Sequence, residues 1–595
     1  MFAGPIFARE ALTAPRRLSH YLLRSGYVAC LLVLMYTIRQ ATIGFQDTKF
    51  SGDIAAYSSL VFSVFALLQL TLGMFFATLF TAANIAQEKD RRTLILLLMT
   101  DMRSRELALG KLLASLLIVG VLLAASLPVF CVLQLLGGVS WSQILWAEAI
   151  IAATTLASGS WGCMVAYWRE KTFQTLAISV LGVVLFVAGI EGIIAVVGSE
   201  SIVGFWLGQL SPYRSLFSVL NPLTGLGHGI VQVSAVKSVS LLVGLAAALN
   251  LYTIVRLRVW NPSQQLRQSA LEDESQPDPV TTDAVSAETI AAGSKERRHH
   301  RAVWNNPVTW KEIATRGYGR KIVVIKLAYV LLAALIGYSV MTSQTDGASL
   351  VLGMMTPPAA AFLAIGVISL LLINAQAVTS ISTERDDNTL DILLATDLHA
   401  REFMTGKILG ALWNTREMIA VPIILMAGTM LNGVSRQLTP ENLIYLVVAY
   451  FCLSLFAIML GLHSGLTYDN SRAAIGNSLG TMFFLFIGIF VFMLLLVEAR
   501  SSFAIQMQSF IVFIGLGSIG LYSSLTHKNP SSALTMAAVM LPFLTFYAIT
   551  DFLLGGTLGV CFWICVAYGF ATIAMLVPSV SDFDVALGRT TNDAG

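Results

Sequence analysis

The sequence predicts an all-helical protein that crosses a membrane many times, and three observations carry that reading. Hydrophobic residues fill 56% of 595 positions and charged residues only 12%, about half the ~25% charged fraction of a soluble domain. The apolar residues gather into runs of roughly 20, enough for a helix to cross ~30 Å of hydrocarbon. One long polar stretch near the middle divides the runs into two groups.

The charge balance narrows the partners. Lys plus Arg number 37 against 34 Asp plus Glu, too even for a chain that grips nucleic-acid phosphates. The bilayer is the expected partner and nucleic acid is not. The six cysteines lie inside apolar runs and read as small hydrophobes. Cys561 and Cys565 are four apart with no His or carboxylate nearby, so no metal site is expected. The first run follows Arg16 and Arg17 and lacks a small-x-small cleavage pattern, so it reads as a span and not as a removable signal.

Taken in order, spans are expected at residues 21–38, 56–85, 107–136, 141–168, 173–197 and 239–255, making a first half over residues 1–260. Residues 261–305 are rich in Ser, Gln, Asp, Glu, Thr and Ala. They cannot bury enough surface to order and read as a disordered cytosolic linker. The pattern restarts over residues 306–595, with spans at 322–341, 359–381, 403–430, 443–466, 475–497 and 552–576. This gives 12 spans. Residues 503–525 and 533–549 leave two alternatives. They are two more spans, making 14, or a pair of short helices dipping into the outer face, with Asn221-Pro222 and Asn529-Pro530 as equivalent turns. Only seven basic residues (Arg39, Lys49, Arg214, Lys237, Arg436, Arg500 and Lys528) fall outside if both termini and the linker are cytosolic, as the positive-inside rule requires.

The chain also repeats itself. With Glu88 set on Glu384, EKDRRTLILLLMTDMRSRELALGKLL matches ERDDNTLDILLATDLHAREFMTGKIL without gaps, at 13 of 26 positions. A weaker match pairs Pro5 with Pro307, Arg9 with Lys311, Glu10 with Glu312 and Tyr27 with Tyr329. We read a tandem duplication of a six-span unit. Both charged blocks need the same aqueous side, so the halves share one orientation, unlike an inverted repeat.

Within each block the leucines Leu94, Leu97 and Leu98, or Leu390, Leu393 and Leu394, are spaced i, i+3, i+4 and predict an apolar ridge on a short helix. Thr93 or Thr389 stands just before the ridge. Thr100-Asp101 and Thr396-Asp397 are suited to cap the helix that follows. Glu88 and Glu384, with the charges after them, would form a polar rim around the ridge. A solvated loop with its leucines on the lipid surface is the plainer reading. Recurrence of acid, ridge, cap and Gly-Lys (Lys111, Lys407) favours two like docking sockets, with the leucine ridges facing water.

The pattern E-x-x-x-x-T-L-x-x-L-L-x-T-D, then R-E-x-x-x-G-K just before a span, resembles the cytosolic loop of ABC-2 type permeases, membrane subunits of ATP-binding cassette transporters. The resemblance covers nearly everything except the linker and implies two permease units fused in one chain. It implies that Glu88, Thr93, Leu94, Leu97, Leu98, Thr100, Asp101 and Lys111 form one coupling helix that docks an ATPase. Glu384, Thr389, Leu390, Leu393, Leu394, Thr396, Asp397 and Lys407 would form the second. Segments around Arg9-Glu10 and Lys311-Glu312 would be connecting helices along the inner surface. The expected function is export of an unidentified substrate across a bacterial cytoplasmic membrane, driven by two separate cassette ATPase subunits that bind the ATP and Mg2+. A non-transporting scaffold that anchors an ATPase-linked envelope or secretion complex is the alternative.

This chain is expected to hold no cofactor and no catalytic residue of its own. Gly110-Lys111 and Gly406-Lys407 are followed by Leu112 and Ile408, not by Ser or Thr, so neither is a P-loop. Glu148, Glu191 and His463 lie in or near spans but form no recognisable motif, and each reads as structural. Asn414, Arg416 and Glu417 lie about three turns into the ninth span, where the first half has Gly120 and Val121. They either line a translocation path or pair locally near the cytosolic interface.

Overall fold

The computed structural model describes residues 4–13, 18–43, 51–198, 201–220, 234–261, 304, 306–314, 322–342, 355–386, 390, 398–432, 439–498, 503–527 and 531–586. The first half comprises α1 (Gly4–Thr13), α2 (Leu18–Thr42), α3 (Ser51–Asp90), α4 (Thr93–Met99), α5 (Ser104–Leu136), α6 (Trp141–Trp168), α7 (Thr172–Val197), α8 (Ile202–Leu210), α9 (Pro212–Leu220) and α10 (Ala235–Trp260). The second comprises α11 (Pro307–Ala314), α12 (Ile322–Thr342), α13 (Pro357–Asp386), α14 (Ala400–Asn414), α15 (Arg416–Leu431), α16 (Pro440–Thr467) and α17 (Ser471–Phe483). A π-helical turn at Phe484–Gly488 leads into α18 (Ile489–Glu498), followed by α19 (Phe503–Leu525), α20 (Ser532–Leu553) and α21 (Thr557–Ala586).

Among the described residues, 13 helices are long and apolar enough to cross a membrane, and the bent pair α14–α15 makes a fourteenth when counted as one span. The chain is a polytopic helical membrane protein. Where residues 503–525 and 533–549 left two alternatives, the helices have the length of two more spans, whereas the first half has short helices at the corresponding place. In the first half α8 and α9 have nine residues each, about 14 Å of helix, too short to cross. Pro212 opens α9, where no backbone N–H is needed. In the second half α19 and α20 have 23 and 22 residues and are full-length. Asn221-Pro222, Asn529-Pro530 and nearly all of the linker lie outside the described residues.

Glycine sets the closest helix contacts. A Cβ on Gly162 of α6 would lie 2.7 Å from the Thr78 carbonyl oxygen of α3, and one on Gly461 of α16 would lie 2.8 Å from the Asn374 carbonyl oxygen of α13. Small residues let backbones approach where lipid supplies no hydrophobic drive. The turn from α5 to α6 uses Gly137 and Gly138 at φ +91° and +81°, and Gly138 has no room for a side chain beside Ala55. Left-handed backbone of this kind favours glycine.

The halves share a core. Leu79, Phe173 and Leu181 of the first half pack in one buried cluster with Leu332, Ile365 and Met482 of the second. Phe75 and Phe483 bring their rings to 5.3 Å across this boundary. The outer flanks differ. A Cβ on Gly192 of α7 would lie 3.2 Å from Leu335 of α12, whereas α2 meets α19, where Ser509 donates to the Thr37 carbonyl at 2.9 Å.

Candidate functional site: paired polar junctions at one end of the bundle

The repeated block begins where α3 and α13 end. At roughly 60 Å and 45 Å these helices exceed the hydrocarbon thickness, so their last turns are free to make polar contacts. The same three contacts form in both halves. Lys89 donates to the carbonyls of Tyr167 and Arg169 at 2.6 and 2.9 Å, and Arg385 donates to that of Gly465 at 2.8 Å. Each cation thereby satisfies orphan carbonyls at the C-terminus of α6 or α16, the negative end of the helix dipole. Asp90 accepts from the Thr172 hydroxyl at the start of α7, and Asp386 from the Ser471 hydroxyl at the start of α17. Glu88 pairs with Lys111 of α5, and Glu384 pairs with Lys407 of α14 at 2.8 Å.

These contacts revise the polar rim. Its first three charges in each block turn inward and tie four helix ends together. In the second half the network is larger. Lys407, only 1% exposed, also meets Glu312 at 2.7 Å and donates to the Ser380 carbonyl at 3.1 Å, while Lys311 pairs with Glu384 at 2.8 Å. Gly406 and Gly410 let α11 approach, because a Cβ at either would strike Val308 or Glu312. In the first half α1 packs likewise on α5, with Gly4 against Glu106. Arg9 is exposed and Glu10 half-buried. The two junctions stand at the same end of the molecule and touch: Arg91 reaches Asp386 at 3.1 Å.

After Arg91 the chain reverses through Arg92 in the left-handed conformation, φ 57°, and enters α4. The leucine ridge is not the exposed face, which corrects the expectation. Leu94 is 2% exposed, and Leu97 and Leu98 are half-buried against the cluster that contains Leu107, Leu112 and Tyr167. The outward face carries Leu96 and Met99, 64% and 68% exposed, with Thr93, Thr100 and Asp101 beside them.

Thr100-Asp101 is not the cap of α5 either. Thr100 closes α4, its hydroxyl donating to the Leu97 carbonyl at 2.6 Å. The N-cap of α5 is Arg103, whose N–H donates to Glu106 at 3.2 Å. His399 and Glu402 repeat this at the start of α14, at 3.3 Å, a reciprocal arrangement that satisfies a helix-start donor. Thr389, Leu393, Leu394, Thr396 and Asp397 lie outside the described residues. Leu390 is half-buried against the shared core.

The residues considered for a pathway make contacts within the second half. Asn414 donates to the Glu312 carbonyl at 3.4 Å, Glu417 pairs with Lys326 at 2.6 Å, and Arg416 pairs with Glu417 at 3.3 Å while its side chain is 55% exposed. None of the three lines either of two intramembrane cavities. One, of about 280 Å³, lies among Met74, Thr154, Trp161, Phe186, Pro212 and Leu245. The other, about 110 Å³, lies among Leu370, Leu453, Phe486, Thr545 and Tyr568.

Other charged or polar groups in the spans are held structurally. Glu148 accepts from Ser126 at 3.3 Å, and His463 lies 3.0 Å from the Leu525 carbonyl. Glu191 takes a two-toothed contact from Arg214 of α9 at 2.6–3.0 Å. That hydrogen bonding pushes the Arg214 guanidinium still further above its ordinary pKa. At the opposite end of α6, burial pushes Arg169 below its own, with the guanidinium 3.5 Å from the Trp168 ring centre. Among the described residues no three His, Cys, Asp or Glu side chains are grouped as metal ligands would be.

Sequence reasoning missed the helix-end role of Lys89 and Arg385 and the hydroxyl partners of Asp90 and Asp386. A signal was present: Thr172 and Ser471 follow the two aspartates by 82 and 85 residues, each just after the fourth span of its half. No family model matches the chain, and no curated protein or solved structure matches it either.

Proposed function

We propose that this chain is the membrane subunit of an ABC-2 type exporter, both permease units fused, with separate cassette ATPase subunits docking on the side of the junctions. The carrying observation is that the two repeated blocks meet at one end of the bundle, tied by Arg91 and Asp386, with an apolar face of α4 turned outward beside them. Two units of common descent and one orientation account for the matched contacts of Glu88–Lys111 and Glu384–Lys407. Both termini and the linker are cytosolic in this reading. α4 is the first coupling helix, with Leu96 and Met99 as its contact residues, while the Leu94, Leu97 and Leu98 ridge transmits force into α5 and α6. Of the second coupling segment expected from the sequence, Thr389, Leu393, Leu394, Thr396 and Asp397 lie outside the described residues.

The test asks whether a cassette ATPase copurifies with this chain and whether the reconstituted chain stimulates its ATP hydrolysis. Leu96→Asp and Met99→Asp are expected to abolish copurification and stimulated ATP hydrolysis while the chain remains inserted and monodisperse. Unchanged copurification and turnover by both variants would remove α4 from the interface. Stimulation of ATP turnover by a solute separates transport from a purely anchoring role.

A further inference from the structure

The second half carries a charge cluster with no counterpart in the first. α14 ends at Asn414, and after Thr415 the chain continues as α15, turned by 49°. Just past the break, Arg416 lies over the Trp413 ring at 4.4 Å and donates through Nε to Glu417. The same carboxylate accepts from Lys326 of α12. One carboxylate between two cations leaves a positive charge over, and the Nη groups of Arg416 have no protein acceptor among the described residues.

The surroundings say what faces this charge. Leu409 and Trp413 on α14, and Val323, Leu327 and Leu331 on α12, are exposed apolar side chains, the dress of a lipid-facing surface. Depth follows from helix length. α5, the counterpart of α14–α15, has 33 residues, about 50 Å. It overshoots ~30 Å of hydrocarbon by roughly 13 residues. If that excess projects from the junction end, the equivalent register from Ala400 brings Trp413 and Arg416 to the membrane–water boundary. Lys326, five residues into α12, is at the same level. Tryptophan is enriched at that boundary.

We propose that Lys326 and Arg416, beside Trp413, hold the phosphate of one anionic phospholipid in the leaflet on the junction side. The free edge of a guanidinium matches phosphate oxygens in a two-toothed geometry, and basic pockets between membrane helices suit anionic headgroups. Gly120 and Val121 stand where Arg416 and Glu417 stand in the second half, so the first half holds no equivalent lipid. The site depends on the membrane reading and is independent of ATPase docking.

Native mass spectrometry after exchange from nanodiscs of mixed phosphatidylglycerol and phosphatidylcholine tests it. The native chain is expected to retain one phosphatidylglycerol in preference to phosphatidylcholine. Arg416→Gln and Lys326→Gln should each lower retention about fivefold, and Gly120→Ala should not change it. Inorganic phosphate at matched concentration should leave the lipid bound. Equal retention of both lipids, unchanged retention by a monodisperse Arg416→Gln, or displacement by inorganic phosphate would each overturn the proposal. The native chain supplies a reading that needs no charge variant. Brominated phosphatidylglycerol should quench the fluorescence that Trp413→Phe removes more strongly than brominated phosphatidylcholine does, and equal quenching overturns the site as well.

Discussion

The two halves agree at the junction end and part company at the other. At the junctions an acid meets a lysine, a base caps a helix C-terminus, and an aspartate takes a hydroxyl from the next helix, in both halves. Between the fifth span and the last, the first half has two nine-residue helices and the second a full-length hairpin. α19 of that hairpin takes up the flank of α2, while α12 meets α7 directly. The repeated residues make matching contacts in both halves, and the second junction adds Glu312, Lys311 and the Ser380 carbonyl around Lys407 and Glu384. An end with matching contacts in both halves is thus joined to a body whose two sides are unlike.

One test of the shared part is at the glycine crossings. Gly461→Val would drive a side chain into backbone atoms at 2.8 Å, and overpacking of this kind costs about 1–3 kcal/mol or more. Gly162→Val should cost as much, since its nearest contacts are no looser. Melting in detergent should drop comparably for the two, and a drop for only one would break the equivalence of the α3–α6 and α13–α16 pairs.

Lys407 and Lys111 sharpen the comparison, because they share an alignment position but not an environment. Lys407 is 1% exposed between two carboxylates, and Lys111 is 13% exposed with one. Removing one member of a buried pair strands the other, at about 3–5 kcal/mol. Lys407→Met is therefore expected to cost that much and Lys111→Met distinctly less, as read from midpoint shifts. A smaller effect belongs to Arg91, the residue that links the junctions. Its side chain is 43% exposed, so Arg91→Ala should cost no more than about 1 kcal/mol. A double-mutant cycle with Asp386→Asn should show coupling that fades with salt. Absence of coupling would leave the junctions independent.

How far the sequence foretold this depended on contrast between residues. Spans were legible because water and hydrocarbon sort residues sharply, and the block was legible because identity recurs at a fixed offset. The direction of the ridge was not. α4 reads TLILLLM, apolar at six of its seven positions, so periodicity cannot choose which face is buried. Thr100 was misread because a threonine oxygen serves a helix end as readily as a helix start, and here its hydroxyl bonds back to Leu97. The break at Thr415 has neither Gly nor Pro to announce it. Arg416 and Glu417 were visible as charges in a span, but Lys326, 91 residues from Glu417, becomes a partner only when α12 and α15 pack.

The smallest expected effect concerns the turn between Arg91 and α4. Arg92 has φ 57°, a left-handed conformation that costs a residue with an ordinary side chain about 1 kcal/mol. Asparagine adopts this region more readily because its short side chain can bond locally. The second block carries Asn388 at the aligned position. Arg92→Asn should therefore raise the melting midpoint slightly, by less than about 1 kcal/mol. Gly in its place should raise it less than the relief of strain alone suggests, since glycine also loosens the unfolded chain. Because Arg92 is exposed and belongs to neither the Arg91–Asp386 nor the Lys111–Glu88 pair, neither change should alter the coupling between Arg91 and Asp386. A fall in stability with asparagine would show that the arginine makes a contact worth more than its backbone strain.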